Sequence, residues 1–250
     1  MEIAWTIAPI LLLVYIFTIT VHPMHESDPA VPDGRQPDLV IVGHQWWWEA
    51  RYLDSHVVTA NEIHVPVEKR LLVRLESADV IHDWWVPQRG RKMDAIPGHP
   101  NLFWLEADAP GTDLGTCAEF CGAEHAWMLI RVIAQPDAKF ELWTKRQLQI
   151  SLAPAPSDGD AAKGARLFQQ LTCSRCHAIE GTSANAQIGP NLTHVTSRET
   201  LAAGVITNTL DNMAKWLSNP QTVKPECRMP NFELTKEQVH YLSAYLETLR

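Results

Sequence analysis

The chain has 250 residues, of which 46% are hydrophobic and 20% are charged, and its formal net charge is −8. This length allows one or two folded domains beside a membrane segment, and the acidic balance argues against nucleic acid as a partner. The negative charge lies in residues 23–150, where 12 Lys and Arg face 19 Asp and Glu, which suits a basic protein partner or an ordinary solvated acidic surface equally well.

An uncharged apolar run occupies residues 5–21 near the start of the chain. At about 1.5 Å per residue, such a helix nearly spans a hydrocarbon core of roughly 30 Å. We therefore predict a transmembrane helix over residues 1–22. A signal peptide is the alternative, but no Lys or Arg precedes Arg35 to form its basic region. Because neither flank of the run is basic, charge does not predict its orientation.

A linker and then an all-β domain follow. Residues 23–38 are rich in Pro, Asp and His without periodicity, which is typical of a linker. Beyond them, short apolar or alternating segments indicate β-strands; they lie at 39–42, 63–67, 71–75, 103–105 and 129–133. Their close spacing, with Pro and Gly between them, predicts a Greek-key β-sandwich or barrel over residues 39–150, closing with a short helix at 137–150.

One short segment of this domain concentrates potential metal ligands. Cys117 and Cys121 are followed by His125 and Met128, and copper favours this combination of thiolate, imidazole and thioether. Two cysteines allow two thiolates to bridge two copper ions, and each ion then needs an imidazole. His82, where an apolar stretch gives way to a loop, is a candidate for the second one. A disulfide between the two cysteines is the alternative.

A second domain is predicted after the Pro-rich residues 151–157, which indicate a semi-rigid linker. The new domain, residues 158–250, contains Cys173-Ser174-Arg175-Cys176-His177, which has the spacing of c-type haem attachment. In such a site each thiol bonds covalently to the haem and the histidine binds its iron. A zinc or redox site with the same spacing is the alternative.

Helices are predicted on both sides of this motif. One begins near Asp158, and the last begins near Thr235 with an apolar stripe of side chains. Two methionines between them compete as a second ligand of the iron: Met229, which precedes a proline, and Met213, which lies in a helical pattern. Cys227 has no assigned role, and burial as a small apolar residue explains it.

Together these motifs resemble subunit II of haem–copper oxidases over residues 1–135 and class I cytochrome c over 158–250, the caa3-type arrangement. The resemblance implies a cupredoxin fold with a binuclear copper centre, CuA, and a covalent haem c. It implies the following CuA ligands: His82, Cys117, the carbonyl of Glu119, Cys121, His125 and Met128. It implies the following haem ligands: Cys173, Cys176, His177 and Met229.

Further roles follow from the same resemblance. Trp46 of the Trp46–Trp48 run would be the electron-entry residue, and the Glu119 side chain would bind magnesium at the interface with subunit I. Asp94 would face subunit I as well. Glu2 would lie at the mouth of a proton path, since residues 2–6 resemble the start of the second of two membrane helices that the family usually has.

The resemblance implies a function in respiration. Electrons would pass from cytochrome c or a bc1-type complex to haem c, then to CuA, and on to haem in subunit I, where oxygen is reduced. The chain would lie in the bacterial cytoplasmic membrane beside subunit I and other oxidase subunits, with its soluble domains on the periplasmic face. The alternatives are a nitric oxide reductase subunit, a copper-delivery or thiol-redox protein, and a quinol oxidase subunit.

Overall fold

The computed structural model describes residues 2–27, 29–149 and 159–250, and the chain forms two compact units, Met1–Gln36 and Pro37–Arg250. Its helices are α1 (Glu2–Ser27), α2 (Asp137–Gln147), α3 (Asp160–Gln170), α4 (Leu210–Ser218) and α5 (Lys236–Glu247). Its strands are β1 (Leu39–His44), β2 (Trp47–Tyr52), β3 (Val58–Ala60), β4 (Glu62–Pro66), β5 (Leu71–Ser77), β6 (His82–Trp85), β7 (Met93–Ala95), β8 (Asn101–Leu105), β9 (Gly111–Cys117), β10 (Leu129–Gln135), β11 (Thr200–Leu201) and β12 (Ile206–Thr207).

The first unit is dominated by α1. Its segment Trp5–Met24 is long and apolar enough to cross a membrane. The helix continues past residue 22 to Ser27, so the first residues of the predicted linker are helical. Backbone hydrogen bonds do not require apolar side chains, and His22 and Glu26, one turn apart, lie 3.3 Å from each other on this extension.

Two five-stranded sheets form the β-sandwich of the second unit. Their strand orders are β3-β2-β1-β5-β8 and β4-β10-β9-β6-β7. Each sheet contains one parallel pair, β1 with β5 and β4 with β10, which are pairs that a simple meander cannot make. The strands predicted from apolar alternation are present, and the all-β prediction is confirmed.

The sandwich core lies between the two sheets. Trp48 on β2 and Trp84 on β6 are 0% and 2% exposed, and their rings meet edge-to-face with centroids 5.5 Å apart. Such pairs add roughly 1 kcal/mol to the effect of burial alone. These two strands belong to opposite sheets, so the aromatic contact holds the sheets together directly beneath the loops that carry the candidate copper ligands.

Helices build the C-terminal part of the second unit, as predicted. The N-cap residue of α5 is Thr235, whose side chain forms a capping box with Gln238. The predicted apolar stripe is buried; it consists of Val239, Leu242 and Leu246 on α5 and Leu249, two residues past the end of the helix. The helix predicted near Asp158 begins at Asp160, and the predicted linker 151–157 lies outside the described residues. The helix predicted at 137–150 ends at Gln147.

Candidate copper and haem sites

The candidate copper ligands meet at one end of the sandwich. His82 is the first residue of β6 and Cys117 is the last residue of β9, and these strands are antiparallel neighbours. The loop from Cys117 to Met128 is closed at its base by a hydrogen bond of 2.9 Å from the Cys117 amide to the Met128 carbonyl. The two ends of the loop therefore lie side by side, and the candidate ligand atoms of its side chains come close together.

Three of the side chains offer ligand atoms within 4.8 Å of one another: His82, Cys117 and Cys121. The remaining two lie around Cys121. His125 Nδ1 is 3.6 Å from the Cys121 sulfur, and Met128 Sδ is 3.9 Å from it. The structure thus brings five of the predicted side chains together, although they are up to 46 positions apart in the chain.

The two sulfurs suit a shared metal better than a bond to each other. They are 3.8 Å apart, whereas a disulfide is about 2.0 Å long, and both cysteines are free. Thiolate–metal bonds are about 2.3 Å for zinc, so one ion can contact both sulfurs at this separation. The Glu119 carbonyl lies 3.2 Å from the Cys117 sulfur and adds an oxygen to the donor set. This donor set fits a copper pair.

The His82 ring is oriented by a carboxylate. Asp79 accepts a hydrogen bond of 2.9 Å from His82 Nε2. The lone pair of Nδ1, on the side of the ring towards Cys117, is then left to bind a metal. Asp79 is itself held by the backbone amide of Gln45 at 2.7 Å. On β1, a Cβ atom added to Gly43 would lie 2.8 Å from His82 Cδ2, so only glycine leaves room for this ring position.

The candidate copper ligands have shifted pKa values, and these shifts bear on metal binding. The pKa of Cys117 is lowered to about 3, first by the Cys121 thiol and then, against burial, by the His82 imidazole and two backbone groups. The pKa of Cys121 is raised by its contact with Cys117 and by burial. Burial lowers the pKa of His82, but Cys117 and Asp79 outweigh that effect and raise it. Because metal ligands must be deprotonated, the lowered pKa of Cys117 favours metal binding, whereas Cys121 and His82 would release protons when a metal binds.

Trp46 lies beside this site, in the turn before β2. Its indole Nε1 donates a hydrogen bond of 2.9 Å to the Cys121 carbonyl, and Gln45 Nε2 donates to the same oxygen at 2.7 Å. Trp46 is half-buried, whereas Trp47 and Trp48 are buried. Trp46 is thus the tryptophan of the run that reaches the surface.

The haem-attachment motif forms a tight turn. Cys173–Arg175 is a 3-10 helix, and the His177 amide bonds to the Cys173 carbonyl at 3.0 Å. His177 Nδ1 donates a hydrogen bond of 2.8 Å to the Pro190 carbonyl, so the lone pair of Nε2 is left to bind a metal. A Cβ atom on Gly189 would lie 2.6 Å from His177 Cε1. Two free thiols beside a histidine with its second nitrogen anchored fit a covalently bound haem.

Met229 and Met213 differ in their surroundings. Met229 is partly buried against the helical core, and so is Cys173. Met213 is 5% exposed and lies on α4. Cys227 is partly buried, and Gln221 Nε2 donates to its sulfur at 3.3 Å and to the Met229 carbonyl at 3.1 Å.

The other predicted roles fall on side chains that are not among the candidate copper and haem ligands. The side chain of Glu119 is exposed, and so is that of Asp94 on β7. Asp94 pairs with Asp83 across β6 and β7; burial and then the nearby Asp94 carboxylate raise the pKa of Asp83 to about 7. Glu2 is exposed in the first turn of α1.

Three residues around the copper site were not predicted to have a role there. Asp79 precedes His82 by three positions, and the pairing of a carboxylate with a nearby histidine was a signal available in the sequence. Glu124 and Lys224 form a buried ion pair at 3.2 Å, with side chains 1% and 5% exposed. No pattern connects those two, because 100 positions separate them.

Comparisons with known proteins agree with both halves of the chain. Residues 55–135 match the family model "Cytochrome C oxidase subunit II, periplasmic domain", and residues 161–250 match "Cytochrome c". Cytochrome c oxidase subunit 2 of Alkalihalophilus pseudofirmus is 34% identical over 100% of this chain and 73% of its own length. The same subunit of Bacillus sp. strain PS3 is 33% identical over 100% of this chain and 74% of its own length.

A solved structure is also similar in sequence. The periplasmic domain of subunit II of cytochrome oxidase from Bradyrhizobium japonicum is 34% identical, covers 45% of this chain and 95% of its own length, and has a TM-score of 0.43. The full-length relatives extend across both matched regions, in the same order along the chain. This chain belongs to the cytochrome c oxidase subunit 2 family, as a member in which a cytochrome c domain follows the periplasmic domain.

Proposed function

We propose that this chain carries electrons from cytochrome c or a bc1-type complex, through its own haem c and a CuA centre, to haem in oxidase subunit I, where oxygen is reduced. The observation that supports this most is the convergence of His82, Cys117 and Cys121 within 4.8 Å on a chain that also holds a Cys-x-x-Cys-His motif. When bound, the copper pair and the haem supply one-electron redox chemistry.

At the copper site, each side chain would have a separate task. Cys117 and Cys121 would hold the copper pair through their sulfurs, and His82 and His125 would hold it through Nδ1. Met128 and the Glu119 carbonyl would be weaker ligands. Because β6, β9 and β10 fix the ends of the ligand loops, the site would change little in geometry when its charge changes, which favours fast electron transfer.

At the haem site, Cys173 and Cys176 would form the covalent bonds to the haem, and His177 would bind the iron. Met229 would also hold the haem iron, and ligation by methionine and histidine together raises the potential of the iron. The Pro190 carbonyl keeps the His177 ring in one orientation through its bond of 2.8 Å to Nδ1.

Finer roles complete the proposal. Trp46 would be the point where electrons enter the copper domain, and the exposed Glu119 carboxylate would bind magnesium at the interface with subunit I. Glu2 would serve a proton path into subunit I. α1 would anchor the chain in the bacterial cytoplasmic membrane, with domains 39–150 and 158–250 on the periplasmic face, where haem attachment takes place. A nitric oxide reductase subunit is not favoured, because the relatives reported above are oxidase subunits.

Two variants of the full chain test the proposal. C117S should abolish the copper signal in electron paramagnetic resonance and leave the haem c optical spectrum intact. M229A should change the haem spectrum and leave two copper ions per chain. Both variants should stop oxidation of the donor cytochrome. Wild-type protein without copper or covalent haem would contradict the proposal, and so would loss of both cofactors from either single change.

A further inference from the structure

The segment just before Met229 contacts the copper domain. We call residues Lys224–Met229 the docking loop. Lys224 Nζ donates a hydrogen bond of 2.9 Å to the Trp46 carbonyl and lies 3.2 Å from the Glu124 carboxylate. Counted over the whole residue, Lys224 is 4% exposed and Glu124 is 0% exposed, so this contact excludes water. The ion pair joins the loop that carries His125 to the loop that carries Met229.

A buried ion pair of this kind specifies one arrangement. Removing two charges from water costs several kcal/mol for each ion, and the cost is offset only when the two ions meet with good geometry. A docked position that separated Lys224 from Glu124 would leave both charges buried without a partner. The pair therefore contributes little net stability, but it disfavours other ways of seating the docking loop on the copper domain.

Arg228 makes a second contact from the same loop. Its guanidinium donates to the side-chain oxygen of Gln45 and lies 5.7 Å from the centre of the Trp46 ring, within range of a cation–π interaction. Gln45 and Trp46 in turn both donate to the Cys121 carbonyl. Covalent and hydrogen bonds thus run without a break from Met229 through Arg228 and Gln45 to Cys121.

A separate set of contacts fixes the orientation of the two domains. The buried Glu62 carboxylate on β4 accepts hydrogen bonds from the backbone amides of Glu199 and Thr200, at 2.9 and 2.7 Å. Arg131 on β10 donates to the Glu199 carboxylate at 2.7 Å. An apolar cluster of Trp47, Ala60 and Ala203 is also shared between the domains. Because these contacts and the docking loop attach at different places, the haem domain cannot pivot about either one alone.

We propose that Lys224 and Arg228 are positioning residues, which hold the docking loop over Trp46 and so fix the cytochrome c domain in one position on the copper domain. This inference rests on the proposed function. With both groups bound, this position would serve the passage of one electron from the haem to the copper pair, with no bond broken and no proton exchanged.

The test uses the full chain with copper and haem bound, and it compares R228A and K224M with wild type. Hydrogen–deuterium exchange of the segments 45–48 and 224–229 reports docking without any turnover. Flash reduction of the haem, followed at the copper absorbance, reports the internal transfer rate. We expect faster exchange in both segments and an internal rate that is at least about tenfold lower, because electron transfer is sensitive to small displacements of its two sites.

K163A is the matched control. Lys163 contacts Asp160 and Tyr241, both within the haem domain, so the loss of its charge should change neither the exchange nor the internal rate. R228K should restore part of the rate, because it keeps a positive charge beside Trp46. Arg228 is exposed, so R228A should fold even if K224M does not.

The outcomes separate the two proposals. Variants that keep both cofactors, but exchange and transfer electrons as wild type does, overturn the docking proposal and leave the proposed function standing. Wild-type protein that lacks copper or haem overturns the proposed function instead. An external cytochrome that reduces the copper pair equally fast in wild type and R228A, without prior reduction of the haem, also overturns the docking proposal.

Discussion

At the scale of single residues, protonation and orientation are set by groups that touch each side chain. Asp79 selects the nitrogen of His82 that faces the copper site, and Pro190 does the same for His177. His64 is partly buried, and it lies outside both sites. Its ring stacks on Trp143 at 4.2 Å, and its Nδ1 lies 3.1 Å from the side-chain oxygen of Gln135.

His64 should make the copper domain sensitive to mild acid. Burial lowers its pKa to about 4, although Gln135 and then Glu199 oppose that shift. The unfolded chain, with a pKa of about 6.5, binds the proton first, so the contribution of His64 is complete above pH about 6.5 and is lost as the pH falls towards 4. The maximum loss is about 3 kcal/mol.

Calorimetry of wild type and H64Q across this pH range checks the expectation. The unfolding free energy of the copper domain should fall more steeply with acid in wild type than in H64Q. H99Q, at an exposed histidine, should follow the wild-type curve. Parallel curves for wild type and H64Q would contradict the role of His64.

At the scale of elements, the haem domain depends on close contact between its first and last helices. Gly164 on α3 faces the backbone of α5, and a Cβ atom at this position would lie 2.0 Å from the Tyr241 carbonyl oxygen and 2.7 Å from Tyr245 Cβ. The carbonyl oxygen is part of the α5 backbone and cannot rotate away. Glycine is therefore required here by the helix crossing and not by the conformation of α3 itself.

Substitution of Gly164 by alanine should destabilise the haem domain. Alanine in a helix interior gains about 1 kcal/mol over glycine, but the overpacked crossing costs roughly 3 kcal/mol, so the clash decides the sign. The melting temperature of the haem-domain transition in G164A measures this effect. Q169A, an exposed change on the same helix, serves as the control. A melting temperature at or above that of wild type would show that the helices separate at little cost.

At the scale of the whole molecule, the second unit combines two domains with unequal charge. Residues 23–150 carry the excess of acidic side chains, whereas 151–250 are balanced. A haem domain held only by a flexible tether would have an effective concentration of about millimolar and would meet the copper domain by diffusion. The buried Lys224–Glu124 and Glu62 contacts describe a docked arrangement instead.

Ionic strength should distinguish these two arrangements. Between about 0.01 and 1 M salt the Debye length falls from about 30 to about 3 Å, and buried pairs are screened far less than exposed ones. The internal haem-to-copper rate should therefore change by less than about twofold, while electron delivery from a basic external cytochrome should fall steeply. Flash reduction and steady-state oxidation across a salt series provide the two measurements. An internal rate that falls in parallel with the external one would indicate a domain that is not docked.

Residue patterns were enough to predict the features that depend on neighbours along the chain. The spacing of Cys117, Cys121, His125 and Met128 is short enough for one loop to present all four side chains, and Cys-x-x-Cys-His fits within a single turn. Apolar periodicity indicated the strands of the sandwich and the buried stripe of α5. These patterns were sufficient for the fold class and for the family.

The distant groups that support those motifs come into contact only when the chain folds, and no residue pattern indicates them. Trp46 and Lys224 are in contact although 178 positions separate them, and Thr200 reaches Glu62 across 138 positions. Such pairs depend on how the completed domains pack, and in the sequence Lys224 and Glu62 have the appearance of ordinary surface charges. The seating of the docking loop on Trp46 is therefore a property of the assembled second unit, because burial creates the requirement for a partner only after the two domains meet.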